Sequence, residues 1–150
     1  PDDPDAYARG IERLLRDGRL RTTQPDPETA IVEIESARTH IASAKKIVED
    51  DPEAALALLY DAMRKAIVAH MRASGYRVTR GADHVKTGEY GRAALDHLEI
   101  DVHLDEFDAL RDLRHQSEYE ALRIDADEVR DAFEHATAVV EAVAGELRAS

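Results

Sequence analysis

Apolar residues recur at intervals of three and four along most of this chain, and glycine and proline divide the periodic stretches from one another. Asp5 to Asp17 reads as a short helix, with Tyr7, Ile11, Leu14 and Leu15 on one face and Gly18 as its stop. Gly18 to Gln24 reads as a polar connector. Asp26-Pro27-Glu28 then combines a capping Asp, a Pro at the first helical position and an acid in the first turn. The helix it opens carries Ile34, Ala37, Ile41, Ala44 and Val48 along one stripe. Asp51-Pro52-Glu53 repeats the device and opens a helix that runs to Ser74, with Gly75 as a C-terminal stop. This second helix is apolar around most of its circumference, through Ala55, Leu56, Leu58, Leu59, Ala62, Met63, Ala66 and Ile67, which predicts a central place in a bundle.

Residues 76–83 read as a loop, and His84 to Leu98 as a helix weakened by Gly88 and Gly91. The next helix starts between Asp101 and Leu104 and faces the core with Leu104, Phe107, Leu110 and Leu113. Asp125, with Glu128 three residues on, opens the last helix like a capping box. Val129, Ala132, Phe133, Ala136, Val140, Val143 and Leu147 form its stripe. No alternating strand pattern, repeat or low-complexity tract is visible. The prediction is an all-α chain: an antiparallel four-helix bundle over residues 26–150, with an extra N-terminal helix and a short connecting helix. Residues 1–25 form an N-terminal helical arm that packs outside the bundle or on a partner.

A length of 150 residues suits one domain with a real core. The absence of Cys excludes disulfides and thiolate metal sites. The most apolar stretch, Ala54 to Met71, is broken by Tyr60, Asp61, Arg64, Lys65 and His70, so no membrane span is predicted. No signal-peptide pattern is present, and a cytoplasmic bacterial protein is expected. The start at Pro1, without Met, reads as a processed or partial chain. The net charge of −12 argues against a general nucleic-acid coat protein. One segment runs the other way: Arg72, Arg77, Arg80, Lys86 and Arg92 face only Asp83 and Glu89. Such an island fits a specific phosphate contact, or a solvated loop with ordinary surface arginines.

The candidate chemistry concentrates in Leu110-Arg111-Asp112-Leu113-Arg114-His115-Gln116-Ser117-Glu118-Tyr119. Taken alone, Arg114 and Glu118 have the spacing of a helix-surface ion pair, worth about 0.2–0.5 kcal/mol. Tyr119 is then an amphipathic residue at the helix end. Arg111 and His115 share a face, while His115 is rotated about 100° from Arg114. Asp61, Arg64 and Lys65 place charge on the most apolar helix, as an ion pair or as a polar shell facing Arg114. His84 is expected to pack or cap at a helix start, and His40 and His135 give no pattern. Asp96 to Glu106 is rich in possible ligands but lacks a recognised spacing, so neither a metal site nor a cofactor is predicted. No P-loop, dinucleotide-binding glycine pattern or Ser-centred elbow is present.

The run around Arg114 resembles the signature helix of the HEPN superfamily, whose motif is Arg-Asn-x-x-x-His late in a helical bundle. Aligned on Arg114, the Asn position holds His115 and the His position holds Tyr119. Leu59-Tyr60-Asp61-Ala62-Met63-Arg64-Lys65-Ala66 looks like the central helix of an actinobacterial branch, and Gly75-Tyr76-Arg77 with His84 looks like its connector. The resemblance covers roughly residues 30–147. It implies metal-independent RNA cleavage, in which the Arg stabilises charge on phosphorus and the His moves a proton. It also implies a homodimer that brings two motifs together, and a nucleotidyltransferase-type or antitoxin partner. Here the proton carrier is missing from its place, and tyrosine, with an ordinary pKa of about 10, is a poor base near neutral pH.

Three functions follow as expectations. The first is a HEPN-like module of a toxin–antitoxin or defence system that binds RNA, a nucleotide or a partner protein through a degenerate site. Its motif residues are Arg114, His115, Tyr119 and Arg111, with Glu118, Asp61, Arg64, Arg77 and Arg80 contributing to binding. The second is an active metal-independent endoribonuclease using Arg111 or Arg114 with His115 or Tyr119. The third is a purely structural interaction bundle in which the motif is an ion-paired surface.

Overall fold

The computed structural model describes residues 4–121 and 123–149. Helices α1 (Pro4–Arg16), α2 (Pro27–Ile47), α3 (Pro52–Ser74), α4 (Asp83–Ala94), α5 (Asp101–Tyr119) and α6 (Ala126–Ala149) follow in order. A 3₁₀ turn, Asp96–Leu98, joins α4 to α5. Strands β1 (Leu20–Thr22) and β2 (Tyr76–Val78) form a small antiparallel ribbon.

The caps read from the sequence set the helix starts. Asp26 accepts the Thr29 N–H at 3.1 Å, Asp51 accepts that of Ala54 at 3.1 Å, and Asp125 accepts that of Glu128 at 3.0 Å. Each satisfies a backbone donor that the helix itself leaves unpaired. The four long helices α2, α3, α5 and α6 make the bundle, and α3 packs against the other three. Leu56, Leu59, Met63 and Ile67 of α3 are fully buried, each contributing about 1.5–3 kcal/mol of apolar burial. The alanines at 55, 62, 66 and 69, also fully buried, let the neighbouring helices come close.

Two elements differ from the sequence reading. The connector after Gly18 and the loop after Gly75 contain the strands, which pair Leu20 with Val78, Arg21 with Arg77 and Thr22 with Tyr76. Three-residue strands are too short to show an alternation. The weak helix from His84 ends at Ala94, and the chain turns through Leu95 into the 3₁₀ turn. Gly88 and Gly91, which weaken α4 locally, serve its packing. A Cβ at Gly88 would lie 3.1 Å from an Asp108 carboxylate oxygen, and one at Gly91 would lie 3.3 Å from Ile67 Cδ1. Helix α1 packs on α4, and its Ile11 and Leu14 join the same core as the bundle.

Candidate functional site

Phe107 of α5 is fully buried and stacks on Tyr60 of α3, with ring centroids 4.9 Å apart and planes 12° from parallel. That stack fixes Tyr60, which is itself 1% exposed. The Tyr60 hydroxyl lies 2.6 Å from Nδ1 of the exposed His84 in the first turn of α4. The Arg114 guanidinium sits over the Tyr60 ring, 5.6 Å from its centroid. Three helices therefore meet at one aromatic ring.

The charges around this ring are mostly positive. Burial pushes the Tyr60 hydroxyl up to about 12, although Arg111, Arg64 and Arg114 all pull it down. Partial burial pushes the His84 imidazole below its ordinary value, and Arg64, Arg114 and Arg111 add to the effect against Asp83. Near neutral pH the hydroxyl keeps its proton and the imidazole is uncharged. Tyr60 has no other hydrogen-bond partner among the described residues, so its O–H donates to Nδ1 rather than leaving a buried hydrogen unpaired. The imidazole hydrogen then resides on Nε2, which makes His84 a donor.

The arginines are oriented by carboxylates. Arg114 Nη2 lies 3.2 Å from Glu118 Oε1, the helix-surface pair its spacing predicts. Arg111 contacts Asp108 at 3.2 Å and Asp112 at 3.6 Å. Arg64 Nε donates to Asp61 at 3.0 Å, and the other Asp61 oxygen lies 3.1 Å from His40 Nε2. Burial works against ionisation of Asp61, but hydrogen bonding and charge from Arg64, with Lys65 and His40, hold its carboxyl below the usual range. Among the described residues, Arg114 Nε and Ser117 Oγ are buried without a hydrogen-bond partner. Both residues line a groove of about 280 Å³ with Asp51, Glu53 and Glu118.

The residues proposed from sequence thus separate into groups. Arg111, Arg114 and Arg64 gather near Tyr60, with Glu118 paired to Arg114 and Asp61 to Arg64. His115 and Tyr119 pack against each other instead, centroids 4.7 Å apart with planes tilted by 40°, at the exposed end of α5. Arg77 lies on β2 and Arg80 in the loop that follows, both exposed. Of the wider basic island, Arg92 is bound 2.7 Å from both Asp105 and Asp108. Sequence reasoning missed His84 as a neighbour of Arg114 and missed Tyr60 as the post between them. Among the described residues, no group of three or more His, Cys, Asp or Glu side chains is placed to hold a metal ion. No described helix is long and apolar enough to cross a membrane.

The sequence profile of the HEPN domain matches residues 32–147. The chain belongs to the HEPN domain family. That membership places it broadly among nuclease-like and toxin or defence modules. The matched span takes in α3, α4, α5, most of α2 and nearly all of α6, hence every residue of the Tyr60 cluster. No curated protein and no solved structure gives a significant match to the chain.

Proposed function

We propose that this chain is an RNA-binding HEPN module of a bacterial toxin–antitoxin or defence system, homodimeric, with a phosphate-holding site and no cleavage of its own. One observation carries the reading. The Arg114 guanidinium lies over the Tyr60 ring and Tyr60 is bonded to His84, with Arg64 and Arg111 adding positive charge, while the family's His position is held by Tyr119, tilted against His115. Guanidinium groups and an imidazole N–H suit a phosphodiester oxygen. A neutral imidazole whose Nε2 already carries hydrogen accepts no proton there. The cluster therefore supplies binding without the base that attack by a ribose 2′-hydroxyl needs.

The ion pairs Arg114–Glu118, Arg111–Asp108 and Arg64–Asp61 favour a second reading, a structural bundle whose motif is neutralised on its own surface. Half-exposed pairs of this kind are worth about 0–1 kcal/mol, so a phosphate can exchange into them. The deciding experiment is a combined RNA-binding and RNA-cleavage assay in EDTA with the wild type and Arg114→Ala. Binding without cleavage, lost in the variant, supports the proposal. Cleavage abolished by the substitution makes the chain a metal-independent nuclease. Equal binding by both proteins leaves the structural reading.

A further inference from the structure

The β1–β2 ribbon sets Arg21 directly opposite Arg77. Thr23 N donates to Gly75 O at 2.9 Å, and Thr79 N donates to Arg19 O at 3.1 Å. Antiparallel ladders alternate, so Arg21 and Arg77 fall in the same class of directly hydrogen-bonded pair, with Cα atoms roughly 5.5 Å apart. Successive side chains leave opposite faces. Leu20 is buried in the core, and both arginines are exposed on the other side.

Like charges directly opposite one another weaken a ribbon. The chain has 32 acids to 20 lysines and arginines, so a neutralising carboxylate is common currency on its surface. Arg19, on the same face, has one: its Nε lies 2.9 Å from both Glu89 oxygens. Arg21, Arg77 and Arg80 make no ion pair and no side-chain hydrogen bond among the described residues. The loop that carries Arg80 is held in place, because Lys86 Nζ donates to Thr79 Oγ1 at 2.9 Å and to the Thr79 and Arg80 carbonyls at 3.3 Å.

Arg21, Arg77 and Arg80 line a concavity of about 420 Å³ with Val78, Thr79 and Asp83. A second concavity, of about 630 Å³, runs past Arg72 and Val68 of α3 and shares Arg77, Val78 and Asp83 with the first. Asp83, which lines both concavities, directly precedes His84 of the Tyr60 cluster in the first turn of α4.

We propose that Arg21, Arg77 and Arg80 form a second phosphate subsite, which holds the backbone of single-stranded RNA as it leaves the His84–Arg114 cluster. The inference rests on the RNA-binding reading above and extends it. Opposed guanidinium groups repel until a phosphate lies between them, and each can donate two hydrogen bonds to it. A positive track with neighbouring aromatic groups is the common arrangement for single strands. The acidic remainder of the surface confines the strand to this track. Arg21 lies outside the residues matched by the family profile, so the subsite is built partly from the N-terminal segment.

The test uses the whole chain and a fluorescein-labelled oligouridylate long enough to span both subsites. The proteins are the wild type, the double variant Arg21→Gln/Arg77→Gln, the single variant Arg21→Glu, and Arg114→Gln. The double variant is expected to lose about tenfold or more in affinity. Its plot of log affinity against log salt should be shallower by about 0.7, as for one phosphate no longer neutralised on a single strand. Arg21→Glu is expected to raise the thermal midpoint, by converting a repulsive pair into an attractive one, while weakening binding; this separates recognition from folding. Wild-type affinity and salt slope in the double variant overturn the subsite. A loss in the double variant with none in Arg114→Gln upholds the ribbon and overturns the cluster reading. A wild type with no affinity for the RNA overturns both.

Discussion

The Tyr60 hydroxyl donates to His84 Nδ1 across 2.6 Å, and this bond orients the imidazole beside the Arg114 guanidinium. Tyr60→Phe removes it with little change in shape. The expected cost in stability is about 0.5–1.5 kcal/mol, the usual net value of such a bond. In the wild type, ¹⁵N ring shifts of His84 should show hydrogen on Nε2. In Tyr60→Phe they should show a mixture of tautomers, with a several-fold drop in RNA affinity. An unchanged tautomer in the variant would refute the assignment of Tyr60 as the orienting group.

Acid should destabilise the protein through its histidines. His70 is buried on α3, 2.9 Å from the Tyr90 hydroxyl, and burial pushes its pKa down, with His97 adding to the effect and Glu146 opposing it. His84 is pushed down as well, by partial burial and by Arg64, Arg114 and Arg111 against Asp83. In both cases the unfolded chain binds the proton more readily. The linked stability is therefore complete above the unfolded value of about 6.5 and is lost as pH falls through the folded values. Urea midpoints measured from pH 8 down to pH 5 should hold steady and then decline below about 6.5. His70→Gln should start lower and show a smaller decline. A variant decline as steep as that of the wild type would remove His70 from the account.

The aromatic stack beneath Arg114 carries both stability and position. Phe107→Ala opens a cavity under Tyr60 and is expected to cost about 3–5 kcal/mol. Phe107→Leu keeps most of the volume and should cost far less, while removing the flat support of the Tyr60 ring. Chemical denaturation gives the first number, and RNA affinity of the folded Leu variant gives the second. If the Leu variant binds RNA like the wild type, the stack matters for folding alone.

The helices were legible in the sequence because their signals are local. Asp26-Pro27, Asp51-Pro52 and Asp125 cap where their residue types predict, and Gly75 ends α3 in the left-handed conformation. Arg114 and Glu118 meet because a spacing of four determines that contact within one helix. The ribbon was not legible. Leu20-Arg21-Thr22 and Tyr76-Arg77-Val78 are too short for periodicity, and their pairing depends on how α1 and α3 end in space. The meeting of His84 with Tyr60 is of the same kind, since no spacing rule connects residues on different helices. The substituted motif on α5 drew attention to His115 and Tyr119, while the imidazole beside Arg114 comes from α4.

The join between α3 and the ribbon gives the last prediction. Gly75 has φ of +85°, and a Cβ there would lie 3.0 Å from Pro25 Cγ and 3.1 Å from the Thr23 carbonyl oxygen. Gly75→Ala therefore pays twice, once for the left-handed backbone and once for the contact with the segment that follows β1. The backbone alone costs about 1–2 kcal/mol. Relief of the contact has to move Thr23, whose N–H bonds to the Gly75 carbonyl at 2.9 Å and closes the ribbon. The variant is expected to lose at least the backbone cost in a urea titration. It should also bind RNA with a shallower salt dependence, although no arginine has been changed, because Arg21 no longer stands opposite Arg77. A destabilised variant that keeps the wild-type salt slope would show that the two arginines act without the ribbon's register.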